Sequence, residues 1–255
     1  MNMDRQANIA RFETVMSAVQ RPGLDKLLDY IRKSDFYTAP ASTKYHLCCE
    51  GGLLQHSLNV LDALRTLLIA KDEEGSEWFY IVAGRPVATI PDESVIIAAL
   101  LHDICKTYFY TTSWRNAKNE KTGKWEKVPF YTVDDKMPLG HGPKSAMIIK
   151  QYMELTTEEM YAIWWHMGFA DGTSDALVLG QAIEKFPFIL ALHTADMMAS
   201  HFMEGEEDNH PAFRTVSTPT PESAGEYADN PVTTDAGPQF EEAPSIVPAS
   251  IKEGS

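Results

Sequence analysis

The most apolar stretch of the chain ends in two polar residues. His102 and Asp103 follow directly on four consecutive apolar residues, 98–101. Residues 92–107 open after Pro91 and are almost wholly apolar in the middle, which predicts a central buried helix. A buried ionised Asp costs several kcal/mol unless it is paired or bound to a metal. The chain must therefore bring compensating groups to this pair.

Two other predicted helices carry polar groups on an apolar stripe. His56 lies beside Leu53 and Val60 in residues 51–70, and Asp196 follows Leu192 in residues 186–203. A lone histidine on such a face is more often a hydrogen-bonded core residue. Four polar groups from three helices instead favour one shared role, because each would otherwise need its own buried partner. Imidazole with carboxylate, without thiolate, suits Mn, Fe, Zn, Ni or Mg and leaves positions for water and substrate.

The remaining pattern predicts an all-α domain with one inserted hairpin. Further helices are predicted over residues 7–20, 24–33, 143–154 and 157–167. Residues 108–131 break the pattern, because aromatic and β-branched residues flank a turn that contains Gly123, which predicts a β-hairpin. A smaller hairpin is predicted over residues 79–90. We expect one helical domain over residues 1–204.

Composition limits the classes of protein to which the chain can belong. A hydrophobic content of 44% over 255 residues allows a sizeable core. The longest aliphatic run, residues 95–101, is too short to span a membrane, and the first 16 residues lack an apolar signal region. The three cysteines include the neighbours Cys48 and Cys49, a poor basis for disulfides. We therefore expect reduced thiols, a cytoplasmic location and no membrane partner.

Charge is distributed unevenly along the chain. Of the net charge of −14, residues 204–255 carry eleven acids against two basic residues, which leaves −5 for residues 1–203. From residue 205 the composition is rich in Pro, Ser, Thr, Glu and Ala, which predicts a disordered acidic tail over 205–255. A solvated tail without a role is favoured over a short partner-binding motif.

The hairpin differs from the rest of the domain in charge. Residues 106–131 hold six basic residues against two acidic ones, and five Tyr and Trp residues are interleaved with them. Cations with aromatic rings are what a stacking platform for nucleic-acid bases needs. The competing interpretation, slightly favoured, is a solvated hairpin whose rings pack on the helices.

The order of polar residues resembles a known superfamily. His56, then Leu100-Leu101-His102-Asp103, then Asp196 is similar to the pattern of HD-domain metal-dependent phosphohydrolases. That resemblance implies a helical bundle in which these four residues bind a divalent cation. It covers about residues 36–204, and it implies that the 108–131 hairpin is an insertion.

A closer resemblance is to the bacterial 3′-to-5′ exoribonuclease branch. It rests on residues 40–42, on Tyr45-His46 and on residues 51–57, although the OB-fold of that branch has no room within residues 1–40. His141 and His166 occupy the places of two extra histidines seen in that branch and in cyclic-dinucleotide phosphodiesterases, and they imply a second ion. Two departures are Met167, where relatives often have a second histidine, and Cys105, where Gly commonly stands.

The resemblance implies roles for individual residues. His56, His102, Asp103, Asp196, His141 and His166 would hold one or two divalent ions. Asp103 could also orient water, and His141 and His166 could stabilise charge on a phosphate. Lys106 could contact a phosphate as a point charge, or be an exposed lysine at a helix end.

The sequence thus predicts a phosphohydrolase acting on nucleotides or short single-stranded nucleic acid. Two alternatives stay open. One is a nucleotidase or triphosphohydrolase of free nucleotides, and the other is a non-catalytic nucleotide-binding module. The sequence leaves the oligomeric state open.

Overall fold

The computed structural model describes residues 4–73, 75–119, 121–171 and 176–204, with eight α-helices and five strands among them. All of these residues belong to one unit of the chain, Met1–Arg214. The helices are α1 Arg5–Met16, α2 Leu24–Lys33, α3 Gly52–Leu67, α4 Asp92–Leu101, α5 His141–Lys150, α6 Thr157–Trp164, α7 Ala176–Lys185 and α8 Phe188–Met198. The strands are β1 Leu68–Ala70, β2 Glu77–Val82, β3 Arg85–Pro91, β4 Tyr110–Lys118 and β5 Trp125–Val133.

Helix α4 forms the centre of the bundle. Its residues from Ser94 to Leu101 are all buried, as expected for a helix that is apolar on every side. Helices α1, α3 and α6 pack directly against it, and α8 packs against α3 and α6. Each fully buried large aliphatic side chain contributes about 1.5–3 kcal/mol relative to exposure, so this helix fixes the positions of its neighbours.

A buried carboxylate anchors the start of α6 to α4. Glu159 forms a capping box with Thr156, accepts a hydrogen bond from the Ser94 hydroxyl at 2.7 Å, and pairs with Arg21 at 2.5 Å. Its side chain is fully buried, so these partners replace the water that a carboxylate requires. The register of α6 against the central helix follows from these contacts.

The structure agrees with the predicted helical domain, but the all-α description holds only roughly, because two small antiparallel sheets accompany the helices. The hairpin predicted over 108–131 is confirmed as a two-stranded ribbon of β4 and β5, displaced by two residues. The predicted 79–90 hairpin gains a third strand, since β1 pairs with β2. Helix α3 consequently ends at Leu67 rather than at residue 70: the next three residues hydrogen-bond to a strand instead of continuing the helix.

Two helix boundaries near the polar residues also differ from prediction. The helix predicted over 92–107 ends at Leu101, Asp103 leaves helical geometry (φ −109°, ψ 18°), and Ile104–Lys106 forms a short 3₁₀ turn. The helix predicted over 186–203 begins at Phe188 and passes into a π-helical turn over Ala199–Met203. Helix α7 was not predicted. The acidic tail predicted over 205–255 lies outside the described residues.

No single helix in the described part of the chain is long and apolar enough to cross a membrane. Helix α7 and the segment Phe188–Met203 are long and apolar enough only when they are taken together. The chain bends by 107° where they join.

Candidate metal centre

Three helices bring the four residues of the predicted metal site together. His56 lies in the middle of α3, His102 and Asp103 follow the end of α4, and Asp196 lies in α8. The Nε2 atom of His56 is 3.2 Å from Nε2 of His102, 3.2 Å from Oδ1 of Asp196 and 3.6 Å from Oδ2 of Asp103. The two histidines and Asp103 are buried, whereas the side chain of Asp196 is 17% exposed. Asp196 is therefore the residue of this group that contacts solvent most.

The outer ring nitrogen of each histidine is held by an acceptor. Nδ1 of His102 donates to the carbonyl of Ala99 at 2.9 Å, and Nδ1 of His166 donates to that of Ile163 at 2.7 Å. A carbonyl oxygen can only accept, so Nδ1 carries a proton in both rings, and Nε2 is the nitrogen that faces the site and can bind a metal. Such outer partners fix the tautomer and ring orientation of metal-binding histidines.

His56 is oriented by a carboxylate that the sequence did not reveal as part of the site. Its Nδ1 lies 2.8 Å from Oε1 of Glu204, which also accepts a hydrogen bond from Nδ2 of Asn59 at 3.1 Å. The Glu204 side chain is fully buried. His46 lies on the same side, with its ring 5.1 Å from that of His56 and its Nε2 3.9 Å from Oε2 of Glu204.

His166 lies just beyond the end of α6 and faces Asp103. Its Nε2 is fully buried, has no hydrogen-bond partner within the described residues, and is 3.7 Å from Oδ1 of Asp103. His193 supports the turn, since its Nδ1 donates to the His166 carbonyl at 2.7 Å. Gly168 lies in the left-handed region (φ +59°), and a Cβ there would meet the His193 ring at 2.8 Å, so this turn requires glycine.

His141 lies near Asp103 but contacts a different neighbour. At the start of α5, its Nδ1 is 3.4 Å from Sγ of Cys105, which is 4.0 Å from Oδ1 of Asp103. Asp103, Cys105 and His141 form a second group with ligand atoms close enough for one ion. Oδ2 of Asp103 thus faces His56 and His102, whereas Oδ1 faces His166 and Cys105.

Lys106 is not an exposed lysine at a helix end. Its side chain is only 12% exposed, and Nζ lies 2.7 Å from Oδ2 of Asp103. Burial disfavours its charged form, yet Asp103 outweighs burial and raises the pKa of Lys106 above its usual value. The structure therefore places a fixed positive charge beside the site.

A protein-family model described as HD domain matches residues 53–211, more than half of the chain. The chain belongs to the HD-domain family. HD domains are typically metal-dependent hydrolases, and the His and Asp clusters described above could hold a divalent metal. The match does not separate the exoribonuclease branch from other HD domains. No curated protein and no solved structure matches the chain.

The buried carboxylates of this HD domain favour their ionised forms. Burial would raise the pKa of Asp103, but Lys106 and His102 hold it well below its usual range. Burial likewise opposes ionisation of Asp196, and the hydrogen bond with His56 lowers the pKa of that carboxyl. Burial disfavours charged His56, but hydrogen bonds with Asp196 and Glu204 raise its pKa to about 10. Without a metal, a proton on His56 therefore neutralises part of this charge.

The donor set fits a divalent metal. Both carboxylates are ionised, and the buried Nε2 atom of His166 lacks a hydrogen-bond partner within the part of the chain that the structure describes. Buried polar atoms without partners are costly, and a cation held by His166, His102 and Asp196, whose ligand atoms lie close enough for one ion, would satisfy this one. Imidazole and carboxylate ligands suit Mn, Fe, Zn, Ni and Mg, so the identity of the metal stays open.

Proposed function

We propose that this HD domain is a metal-dependent phosphohydrolase that cleaves phosphoester bonds in nucleotides or short single-stranded nucleic acid. The observation that carries the proposal is the convergence of the Nε2 atoms of His56 and His102 with carboxylate oxygens of Asp103 and Asp196, all within 3.6 Å of His56 Nε2. A divalent ion held by these four residues would polarise a phosphoryl oxygen and make water a better nucleophile at neutral pH.

The two oxygens of Asp103 suggest a second ion position. Oδ2 faces the first group, and Oδ1 lies 3.7 Å from Nε2 of His166 and on the side of Cys105 and His141. We propose His141 and His166 as ligands of a second ion, or as donors to a phosphate oxygen when one ion is bound. Asp103 is then the residue that links both positions and can orient the attacking water.

Lys106 supplies positive charge where a phosphate would carry negative charge. Its ion pair with Asp103 fixes the position of Nζ beside the proposed metal ligands. Because the lysine is a point charge with three donors, it can keep one donor on Asp103 and direct another to a phosphate oxygen. We propose that Lys106 binds the scissile phosphate.

The test combines metal analysis with hydrolysis. We expect purified protein to carry about one or two divalent ions per chain. His102→Ala and Asp103→Ala should lose metal and hydrolysis by more than the roughly 10- to 100-fold typical of removing an outer partner. His201→Ala, at an exposed position, is the matched control and should retain both.

The substrate panel should include mononucleotides, nucleoside triphosphates, cyclic nucleotides and labelled oligonucleotides, each with Mn, Mg, Ni and Fe. Hydrolysis restricted to free nucleotides would favour the nucleotidase alternative. Binding of metal and nucleotides without turnover would favour a non-catalytic module. Full activity of Asp103→Ala in the presence of a chelator would contradict the proposed mechanism.

A further inference from the structure

One face of the β4–β5 ribbon carries most of its aromatic and cationic residues. The register is regular from Tyr110–Val133 to Lys118–Trp125, and Trp114 lies opposite Pro129. Side chains alternate between faces along a strand, so paired positions share a face. One face therefore carries three aromatic rings and two lysines beyond the first pair: Trp114, Trp125, Tyr131, Lys118 and Lys127.

The two tryptophans of this face project into solvent. Trp114 is 63% exposed and Trp125 is 71% exposed, so neither ring packs on the helices. The opposite face differs, because its residues Ser113, Ala117, Val128 and Phe130 are half-buried. It also carries the acidic Glu126 and one cation, Arg115, whose guanidinium lies 5.6 Å from the centre of the Phe130 ring. Large exposed rings on one side of a ribbon indicate a binding surface rather than a packing surface.

The charge of the ribbon complements a phosphate backbone. The segment from residue 106 to 131 has six basic residues against two acidic ones, within a body of net charge −5. Lys121 and Lys124 extend the positive charge of Lys118 and Lys127 into the turn. An acidic protein with a local cluster of cations beside exposed aromatic rings offers a local site for a polyanion.

The end of the ribbon at the Tyr110–Val133 pair, here called its root, lies beside the proposed metal centre. Tyr110 donates a hydrogen bond to the Ala41 carbonyl at 3.1 Å and interacts electrostatically with Lys106 and Asp103. A cavity of about 830 Å³ lies at the root, lined by Thr112 and Tyr131 of the ribbon and by Lys44 and Cys48 of the loop before α3. The same loop carries His46, which lies against His56.

We infer that the ribbon face binds single-stranded nucleic acid and leads it to the metal centre. Exposed bases would stack on Trp114, Trp125 and Tyr131, and backbone phosphates would contact Lys118 and Lys127. Stacking of this kind requires unpaired bases, which excludes a continuous duplex. From Tyr110 to Lys118 the ribbon extends roughly 27 Å, more than a mononucleotide needs. The inference rests on the proposed function, because it deepens the assignment of substrate to the same site.

Binding can be measured separately from cleavage. Full-length protein in excess chelator is titrated against a fluorescein-labelled single-stranded oligonucleotide of mixed sequence, with anisotropy as the readout. Trp114→Ala and Trp125→Ala should each weaken binding roughly 5- to 150-fold, the usual effect of removing one stacking ring. Trp164→Ala, a partly exposed tryptophan in α6, is the matched control and should bind like the wild type. A melting curve of each variant establishes that it is folded.

Salt dependence tests the lysines. If each lysine neutralises one phosphate, the slope of log K against log salt should fall by roughly 0.7 per lysine in Lys118→Ala/Lys127→Ala. The control is Lys33→Ala/Lys150→Ala, at exposed positions of α2 and α5. It has the same net charge as Lys118→Ala/Lys127→Ala and should retain the wild-type slope. Heparin and duplex of the same sequence serve as competitors and should displace the strand less effectively than unlabelled single strand.

The outcomes separate the two proposals. The inference is overturned if both ribbon tryptophan variants bind with wild-type affinity, or if heparin competes as well as unlabelled single strand. Turnover of a small chromogenic phosphodiester would then show whether the phosphohydrolase proposal survives. Strand binding that depends on the ribbon, in a protein that hydrolyses no phosphoester with any metal, overturns the proposed function. Loss of oligonucleotide turnover in the ribbon variants, with chromogenic turnover unchanged, supports both.

Discussion

Glu204 accepts hydrogen bonds from both His56 and Asn59, and these contacts hold the ring of His56 from behind. A carboxylate that accepts from the outer nitrogen of a metal-binding histidine raises the basicity of the inner nitrogen and fixes the orientation of the ring. We therefore propose that Glu204 positions the ring of His56 in this HD domain.

Glu204→Gln should weaken metal binding roughly 10- to 100-fold, the usual effect of losing such an outer partner. The amide can still accept a hydrogen bond, but it no longer provides the negative charge. The measurement is competition for Mn²⁺ or Zn²⁺ against a fluorescent chelator. Glu154→Gln is the control, because that carboxylate is 81% exposed and pairs only with the nearby Lys150 in the described contacts. Equal metal affinity in both variants would remove Glu204 from the site.

Residues that interrupt an apolar face could be found from the sequence, whereas Glu204 could not. His56 and Asp196 stand on regular apolar stripes, so their polarity is conspicuous there. Glu204 follows the π-helical turn at the end of the α8 segment, directly before a run of acidic residues, and its partners lie 145 and 148 positions away. Pattern within one helix carries no information on such a long-range contact. Proximity in the fold reveals it.

At the scale of elements, the start of α6 determines where His166 lies. Glu159 joins this helix to Ser94 of α4 and to Arg21 of the loop before α2. Removing one partner of a buried ion pair leaves the other uncompensated, which typically costs about 3–5 kcal/mol. The contacts of Glu159 therefore bear on the stability of the whole bundle.

Glu159→Gln should lower the free energy of unfolding by several kcal/mol, up to about 5 kcal/mol. Glu158→Gln is the matched control from the same first turn; its side chain is exposed, and it should cost about 0.3–1 kcal/mol through the helix dipole alone. Urea unfolding followed by circular dichroism measures both. Similar midpoints for the two variants would contradict the proposed importance of the buried pair.

Elements with a strong hydrophobic periodicity could be predicted from the sequence. Elements that depend on pairing with a strand elsewhere in the chain could not. Helix α2 has the predicted bounds, because Leu27, Leu28 and Ile31 form one buried stripe between clear ends. Helix α7 was missed, since Gly180 weakens its helix propensity and only Leu179 and Ala182 are buried. Strand β1 was read as the last turn of α3, because only its pairing with β2 distinguishes the two.

At the scale of the whole molecule, the acidic charge lies mainly beyond Glu204. The residues from 205 onward contribute −8 of the net charge of −14, since ten acids stand there against two basic residues. Their composition, rich in Pro, Ser and Thr, provides little apolar surface for a core. The sequence therefore predicts that the domain folds and binds metal without them.

Truncation after Glu204 should change the melting temperature by less than about 2 °C, because surface changes away from specific contacts typically stay within about 0.5 kcal/mol. Hydrolysis of a small chromogenic phosphodiester and Mn²⁺ affinity should also match the full chain.

The control is the same truncation carrying Glu204→Gln, which should lose metal affinity as the full-length variant does. A large drop in melting temperature or turnover on truncation alone would show that the removed residues dock on the domain. A gain in oligonucleotide affinity on truncation would instead indicate that the acidic segment competes with nucleic acid for the β4–β5 ribbon, since both carry negative charge.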